Sequence, residues 1–150
     1  MLEANYQPDL RPIGKRKYQL WQNWSYTWVK DDIIRRIKIP AGFISDGASV
    51  PRFLWTITGI TPDGELRSAA LIHDYLYGFG GNLPDGSYQK LDSSNSSSLK
   101  WIDLDEIWTR KNADRIFARI MRECGVSMLK RRMAYRGVRT FGWMFFKKKK

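Results

Sequence analysis

The most constraining feature of the sequence is an apolar run that is interrupted by a histidine and an aspartate. Ala69-Ala-Leu-Ile-His-Asp-Tyr-Leu-Tyr77 lies between the turn-forming residues 61–65 and a glycine. This pattern predicts a helix that Asp63 caps and Gly78 ends. At about 100° per residue, His73 falls on the apolar stripe of the helix. The histidine is therefore predicted to lie in the core.

A second helix, at about 104–124, supplies a candidate partner for His73, with Asp103 or Asp105 as its cap. Asp114 lies close to its apolar stripe. The predicted core positions of this helix are Ile107, Ala113, Phe117, Ile120, Met121 and Cys124. A buried imidazole and a buried carboxylate are costly apart and stable as a pair, so we expect His73 and Asp114 to meet. Such a pair acts as a general base near neutral pH, or else only fixes two helices together.

Strand patterns occupy the first third of the chain. Aromatic residues recur at every second position of 24–29, and β-branched residues fill 33–39. Together with 18–23, these segments predict an antiparallel hairpin or small meander. Residues 43–55 combine Asp-Gly, small residues and a proline, which is typical of a loop.

The remaining pattern completes an α+β fold. Residues 88–91 and 99–102 flank a Ser- and Asn-rich segment and predict a hairpin, and a third, basic helix covers about 127–141. We therefore expect an N-terminal antiparallel β hairpin or meander, followed by two or three packed helices with a β-hairpin inserted between the first two. One domain, 1–142, is expected to precede an aromatic and polybasic tail, 143–150.

Oxygen ligands for a hard cation lie next to the histidine. Asp74 points about 100° away from His73, toward the rim of the same helix, and Asp46 lies in the Gly-containing loop. Calcium prefers carboxylate and carbonyl oxygens, so Asp46 and Asp74 are its candidate ligands, although an Asp before Gly also caps its own turn. The N–H near Gly47 is a candidate oxyanion donor for ester hydrolysis. Ser49 is a weaker rival nucleophile because it lacks the G-x-S-x-G context.

Positive charge is concentrated at the C-terminus. The chain has 26 Lys and Arg against 15 Asp and Glu, a net charge of +11, and residues 130–150 contain nine of the basic residues and no acid. Such an end suits an anionic membrane surface, a neighbouring protein subunit or, less well, nucleic acid, and a solvated terminus is the remaining alternative. The candidate contact residues are Trp143, Phe145, Phe146, Lys147, Lys148, Lys149 and Lys150.

Composition excludes several classes of protein. With 150 residues, of which 43% are hydrophobic, the chain is expected to form one globular domain and not a disordered segment. A lone cysteine, Cys124, excludes an internal disulfide, and a single histidine makes a conventional zinc site much less favourable than calcium. Neither a membrane-spanning stretch nor a signal peptide is evident, so we expect synthesis in the cytosol.

Three motifs carry a resemblance to a known family. They are Asp46-Gly-Ala-Ser-Val-Pro51, Ala69-Ala-Leu-Ile-His-Asp-Tyr-Leu-Tyr77 and Ala113-Asp-Arg-Ile-Phe117. With these motifs the chain is similar to a family of small bacteriophage and prophage proteins of unknown function, over about residues 15–142. The resemblance implies a phage protein made in the host cytoplasm. It also implies an alternative function, a non-catalytic virion component of the tail, neck or capsid that is incorporated into the virion through contacts with other virion proteins.

The same motifs resemble the phospholipase A2 superfamily, in which an Asp-Gly-Cys loop precedes a helical His-Asp-x-x-Tyr and a later helix carries Ala-Asp-x-x-Phe. That resemblance implies a helical core of phospholipase A2 type, His73 as general base and Asp114 as the residue that orients it. Tyr77 would bond to Asp114, and Asp46 and Asp74 would bind calcium. The implied activity is hydrolysis of phospholipid esters. The chain departs from the superfamily at Ala48, which replaces the loop cysteine.

Overall fold

The computed structural model describes residues 7–15, 17–45, 52–58, 66–95 and 97–147. The strands within these residues are β1 (Leu10–Gly14), β2 (Lys17–Leu20), β3 (Trp24–Lys30), β4 (Ile33–Ile39), β5 (Ile44–Ser45), β6 (Tyr88–Asp92) and β7 (Lys100–Asp103). The helices are α1 (Arg52–Thr58), α2 (Arg67–Gly78), α3 (Arg110–Glu123), α4 (Met128–Phe141) and a short 3-10 helix, Gly142–Met144. The expected mixed α+β fold with antiparallel strands at the N-terminus is thereby confirmed.

The strands form two antiparallel sheets, with the orders β1-β2-β5 and β3-β4-β6-β7. The expectation that 18–23 continues into the same hairpin or meander as 24–29 is wrong, because β2 belongs to the first sheet and β3 to the second. Backbone hydrogen bonds explain the separation. Leu20 N–H donates to the Phe43 carbonyl and Gly42 N–H donates to the Leu20 carbonyl, so the end of β2 is held against the chain that leads into β5.

The β3–β4 hairpin follows the predicted alternation. Trp24, Tyr26 and Trp28 are buried, and Trp24 pairs with Ile39 at the open end of the hairpin. The turn consists of Asp31 and Asp32, whose φ angles are 52° and 60°. Two central residues with positive φ match the right-handed twist of the flanking strands, which is why a two-residue turn closes this hairpin.

The loop expected at 43–55 contains regular structure at both ends. β5 pairs with β2, and α1 begins at Arg52, while residues 46–51 lie outside the described ranges. α1 packs against α4. The two helices approach closely because Gly137 has no side chain, and a methyl group at that position would overlap the side chain of Leu54.

Helix α3 begins later than the sequence predicts. Thr109 caps it by accepting a 3.1 Å hydrogen bond from Asn112 N–H, whereas Asp103 ends β7 and accepts a 2.7 Å bond from Gln89. The prediction of Asp103 or Asp105 as the cap is therefore wrong. Ile107 precedes the helix and is 65% exposed, so its placement in the core is also wrong. The remaining predicted core residues of this helix are buried, with Cys124 half-buried: Ala113, Phe117, Ile120, Met121 and Cys124.

The third predicted helix is confirmed as α4. Ser127 caps it by accepting a hydrogen bond from Lys130 N–H at 3.4 Å. α4 packs against α3, and α3 packs against α2, so α3 is the middle helix of this group. The β6–β7 hairpin follows α2 in the chain and pairs with β4.

Candidate functional site

Helix α2 carries His73 into the centre of the protein. Every residue from Ser68 to Tyr77 is buried, because the helix is almost entirely apolar around its circumference. The His73 ring has no exposed surface. Its centroid lies 4.0 Å from that of Tyr77 and 4.7 Å from that of Phe117. The imidazole therefore depends on neighbouring protein groups, and not on solvent, for its hydrogen bonds.

Asp114 of α3 is the polar partner that the sequence predicts for His73. Its Oδ1 lies 2.8 Å from Nε2 of His73 and accepts a second hydrogen bond, of 2.5 Å, from the Tyr77 hydroxyl. The side chains of His73 and Asp114 are both completely buried. The expected meeting of His73 and Asp114 is confirmed, and the contact between Tyr77 and Asp114 that the resemblance implies is present. The catalytic roles of these residues stay a prediction.

Two arginines complete the surroundings of Asp114, and sequence reasoning missed both. Arg139 of α4 donates a 2.8 Å hydrogen bond to Oδ2, and Arg110 lies 3.7 Å from the same oxygen. The Arg110 guanidinium also donates to the carbonyls of Val138 and Arg139. Arg110 precedes Asp114 by one helical turn, and that spacing was a usable signal for an ion pair. For Arg139 the sequence offers no local signal.

The contacts of Asp114 determine its charge. Burial raises the pKa of the Asp114 carboxyl, but the hydrogen bonds from His73, Tyr77 and Arg139 outweigh burial and hold that pKa below its ordinary value. Burial raises the pKa of the Tyr77 phenol, and the bond to Asp114 raises it further. Asp114 is thus an ionised acceptor at neutral pH, while Tyr77 remains a hydroxyl donor.

Asp74, the predicted calcium ligand beside His73, is less accessible than expected. Its residue is only 9% exposed, and its Oδ2 accepts a short hydrogen bond from the Ser45 hydroxyl at the end of β5. The expectation that Asp74 lies at the rim of α2 is wrong, because α2 is buried on all sides. The bond to Ser45 nevertheless places Asp74 beside the residue that precedes Asp46 in the chain.

The other members of the predicted cation site, Asp46 and Gly47, lie outside the described residues, as does Asp63. Within the part of the chain that the structure describes, no group of three or more histidine, cysteine, aspartate or glutamate side chains is arranged to hold a metal ion. The Asp74 carboxylate and the Ser45 hydroxyl are described oxygen atoms that lie together where the chain leads into Asp46.

The C-terminal aromatic residues divide into an exposed group and a packed residue. Trp143 is 64% exposed and Phe145 is 37% exposed. Phe146 instead packs its ring against Tyr77 at 5.1 Å, and Lys147 N–H donates to the Tyr77 carbonyl at 3.1 Å. Phe146 and Lys147 therefore contact the helix that carries His73, whereas Lys148, Lys149 and Lys150 lie outside the described ranges.

Comparison with known protein families identifies the family to which the chain belongs. Residues 18–138 match the family described as "Protein of unknown function (DUF1353)". The chain belongs to this family. The matched part of this DUF1353 protein contains His73, Tyr77 and Asp114, and it ends one residue before Arg139. Neither the curated proteins nor the solved structures contain a match to the chain. Among the helices of the described residues, none is long and apolar enough to cross a membrane.

Proposed function

We propose that the chain is a phage-encoded, calcium-assisted hydrolase of phospholipid esters, with a site and a helical core of phospholipase A2 type. The observation that supports the proposal most is the arrangement around Asp114. One carboxylate oxygen lies 2.8 Å from Nε2 of His73 and accepts a 2.5 Å hydrogen bond from Tyr77. These are the partners that the superfamily resemblance implies for a general-base histidine.

The chemistry assigned to His73 is proton transfer during ester hydrolysis. Because Nε2 is bonded to Asp114, the other ring nitrogen, Nδ1, is the proposed base. Nδ1 takes a proton from water as the water oxygen bonds to the ester carbonyl carbon. The bond between that carbon and the alcohol oxygen then breaks, and the proton passes from Nδ1 to the alcohol. The products are a fatty acid and a lysophospholipid.

Asp114 and its neighbours have a supporting role in this reaction. Asp114 orients the imidazole and stabilises the imidazolium form that exists between the two proton transfers. Tyr77 and Arg139 in turn orient the carboxylate through its two oxygens. Tyr77 is thus a positioning residue, since its hydroxyl acts on Asp114.

Asp74 and Asp46 are the residues that would hold calcium. Asp74 supplies a carboxylate of the kind that calcium prefers, and the bond to Ser45 ties it to the strand that leads into Asp46. The donor set is therefore chemically suitable, with Gly47 as the proposed donor to the oxyanion. When bound, calcium would polarise the ester carbonyl.

Complete burial supports a second candidate function. Because His73 has no exposed surface and Asp74 is 9% exposed, an ester reaches the site only after a change in conformation. In a non-catalytic virion assembly protein of the tail, neck or capsid, the same contacts would tie α2, α3 and α4 together. Other virion proteins would then be the partners, and the protein would pass from the host cytoplasm into the virion.

The basic C-terminus is proposed to assist the hydrolase by binding an anionic membrane. Trp143 and Phe145 are exposed and precede the lysines at 147–150, a combination that suits the headgroup layer. In the assembly alternative these side chains would contact other virion proteins, and nucleic acid is a less favoured partner for the same end.

The two candidate functions differ in a measurable product. We would incubate the purified protein with phosphatidylglycerol and phosphatidylcholine vesicles, in millimolar calcium or in excess EGTA, and measure fatty acid and lysophospholipid by mass spectrometry. The hydrolase proposal predicts calcium-dependent release that falls sharply in Asp74→Asn. An absence of release from both vesicle types in calcium contradicts it and favours the assembly function, for which size-exclusion chromatography should reveal oligomers.

A further inference from the structure

A cavity of about 470 Å³ lies beside α3 and is lined by that helix, the end of β3, the segment before α3 and single residues of β6 and α4. We call it the α3 groove. Its lining does not include His73, Asp74, Tyr77 or Asp114, so it is distinct from the proposed hydrolase site. Its volume falls within the range of about 300–1,000 Å³ that is usual for small-molecule sites.

The lining of the α3 groove is strongly basic. One lining residue is acidic, Glu106, and the basic ones are Lys30, Arg115, Arg119, Arg122 and Arg131. Glu106 is engaged by Arg35 at 3.2 Å, and Arg119 is engaged by Glu123 at 2.9 Å. Within the described ranges, no acceptor lies within hydrogen-bond or ion-pair distance of the side chains of Arg115 and Arg122. The groove therefore holds cationic charge that its own acids do not neutralise.

The arginines of α3 are arranged on one face. Arg115, Arg119 and Arg122 are separated by four and then three residues, a spacing that aligns side chains along one side of a helix. The first and last are about 10 Å apart along the helix axis, at about 1.5 Å per residue. Guanidinium groups bind phosphate oxygens through paired N–H donors, so this stripe suits one or more phosphate groups.

Arg131 of α4 adds a further donor to the lining of the groove. Its Nε is buried and has no hydrogen-bond partner among the described residues. Buried donors without an acceptor are rare in folded proteins. An anion held in the groove would offer an acceptor to this guanidinium.

Another part of the groove lining is apolar and aromatic. Ile107 is 65% exposed, and Trp108 packs against Tyr88 and Trp28 with ring centroids 5.2 Å and 5.9 Å away. A 2.8 Å hydrogen bond from the backbone N–H of Trp108 to the Gly81 carbonyl fixes this segment. The groove thus combines a basic stripe for phosphate with a fixed aromatic wall for a flat, apolar group.

We propose that the α3 groove binds a nucleoside phosphate. Its phosphates would contact the α3 arginines, and its nucleobase would pack against Ile107 and Trp108. A phosphorylated nucleoside joins the two chemistries that the groove presents, an anion and a planar ring. The same chemistry is available from a free nucleotide or from one unit of a single-stranded nucleic acid. This inference is independent of the proposed hydrolase activity.

The test is isothermal titration calorimetry of the full chain with three probes: adenosine diphosphate, inorganic pyrophosphate and a short single-stranded oligodeoxyadenylate. We expect Arg115→Ala/Arg122→Ala to weaken nucleotide binding by at least about tenfold, since charge-assisted contacts are lost. The matched control is Arg132→Ala/Arg136→Ala, which removes the same charge from exposed positions of α4 outside the groove and should leave binding nearly unchanged. Tighter binding of adenosine diphosphate identifies a free nucleotide as the ligand, and tighter binding of the oligonucleotide identifies a single-stranded nucleic acid.

A second measurement, by NMR, tests where the nucleobase binds. The indole N–H signal of Trp108, assigned by its loss in Trp108→Phe, should shift in two-dimensional NMR when the nucleotide binds, whereas that of Trp143 should not. Three outcomes overturn the proposal: no binding of either nucleotide probe at millimolar concentration, equal weakening by the two double variants, and pyrophosphate binding as tight as that of the nucleotide.

Discussion

The Arg139 guanidinium donates a 2.8 Å hydrogen bond to Oδ2 of Asp114, the carboxylate oxygen that His73 and Tyr77 leave available. Asp114 is completely buried, while the Arg139 side chain is 30% exposed. One carboxylate on α3 thereby joins α2 to α4, with its negative charge balanced by a cation that remains near solvent. This relationship determines how the site should respond to mutation and to pH.

Asp114→Asn should destabilise the protein and change its response to acid. Loss of the charge breaks a buried ion pair, which typically costs about 3 kcal/mol of unfolding free energy. Because the folded-state pKa of Asp114 is depressed, its stabilisation is complete above the unfolded-state pKa of about 3.9 and is lost as pH falls through the folded value. Urea unfolding between neutral and acid pH should therefore show a shallower acid loss in Asp114→Asn than in the wild type.

The matched control for this pH experiment is Asp105→Asn, which alters an exposed carboxylate in the segment before α3. Its unfolding free energy should follow the wild-type curve at every pH. An Asp114→Asn curve that runs parallel to the wild type down to strongly acid pH contradicts the account of the Asp114 network.

Tyr77→Phe should cost more stability than Tyr75→Phe. Both tyrosines are 1% exposed and lie on α2, but the Tyr77 hydroxyl bonds to the Asp114 carboxylate and the Tyr75 hydroxyl to Ser87. A hydrogen bond to a charged group contributes about 2 kcal/mol and a neutral one about 1 kcal/mol. Chemical denaturation measures the difference, and equal losses from the two variants would show that the carboxylate gives the Tyr77 hydroxyl no special importance.

Gly81→Ala should be far more disruptive than Gly86→Ala. Both glycines have positive φ, 81° and 77°, which costs an alanine about 1–2 kcal/mol. A methyl group on Gly81 would in addition overlap the Trp108 carbonyl, whereas nothing lies within 4 Å of one on Gly86. We expect a clearly lower melting temperature for Gly81→Ala, and similar melting temperatures for the two variants would contradict the observed packing of the segment before α3.

Substitutions of the exposed and of the packed C-terminal aromatic residues should affect different properties, membrane binding for the exposed residues and stability for the packed one. Trp143→Ala/Phe145→Ala should weaken co-sedimentation with anionic vesicles while leaving the melting temperature nearly unchanged, since both side chains are exposed. Phe146→Ala should lower the melting temperature because its ring packs on Tyr77. Unchanged vesicle binding in the double variant argues against a membrane role for this end.

The sequence predicted those strands and helices that have one face in the core and the other in solvent. The alternation of Trp24, Tyr26 and Trp28 predicts β3, and the stripe around Phe117 predicts the buried side of α3. Boundaries were harder, since Asp103 and Asp105 give a stronger cap signal than the Thr109 that caps α3. β1 was not predicted from the sequence, because its five residues include a proline and show little alternation of buried and exposed positions.

The part of the site that could be predicted is the contact between His73 and Asp114, because buried polar side chains require a partner. Neither His73 nor Asp114 is stable alone in an apolar core, so their meeting follows from two helical stripes. Arg139 lies 25 residues beyond Asp114, and its contact depends on how α4 packs on α3, which no local pattern encodes. The same is true of the bond between Ser45 and Asp74, which joins a short strand to a helix.

The most direct test of the central claim compares the wild type with His73→Gln in calcium-dependent release of fatty acid from phosphatidylglycerol vesicles. Glutamine has an amide that suits the Asp114 hydrogen bond but cannot act as a base, so unfolding free energy is measured alongside to recognise any structural loss. The account predicts measurable release by the wild type and a loss of at least about a hundredfold in a folded His73→Gln, the usual contribution of a general base. Release by the folded variant at the wild-type rate would contradict it.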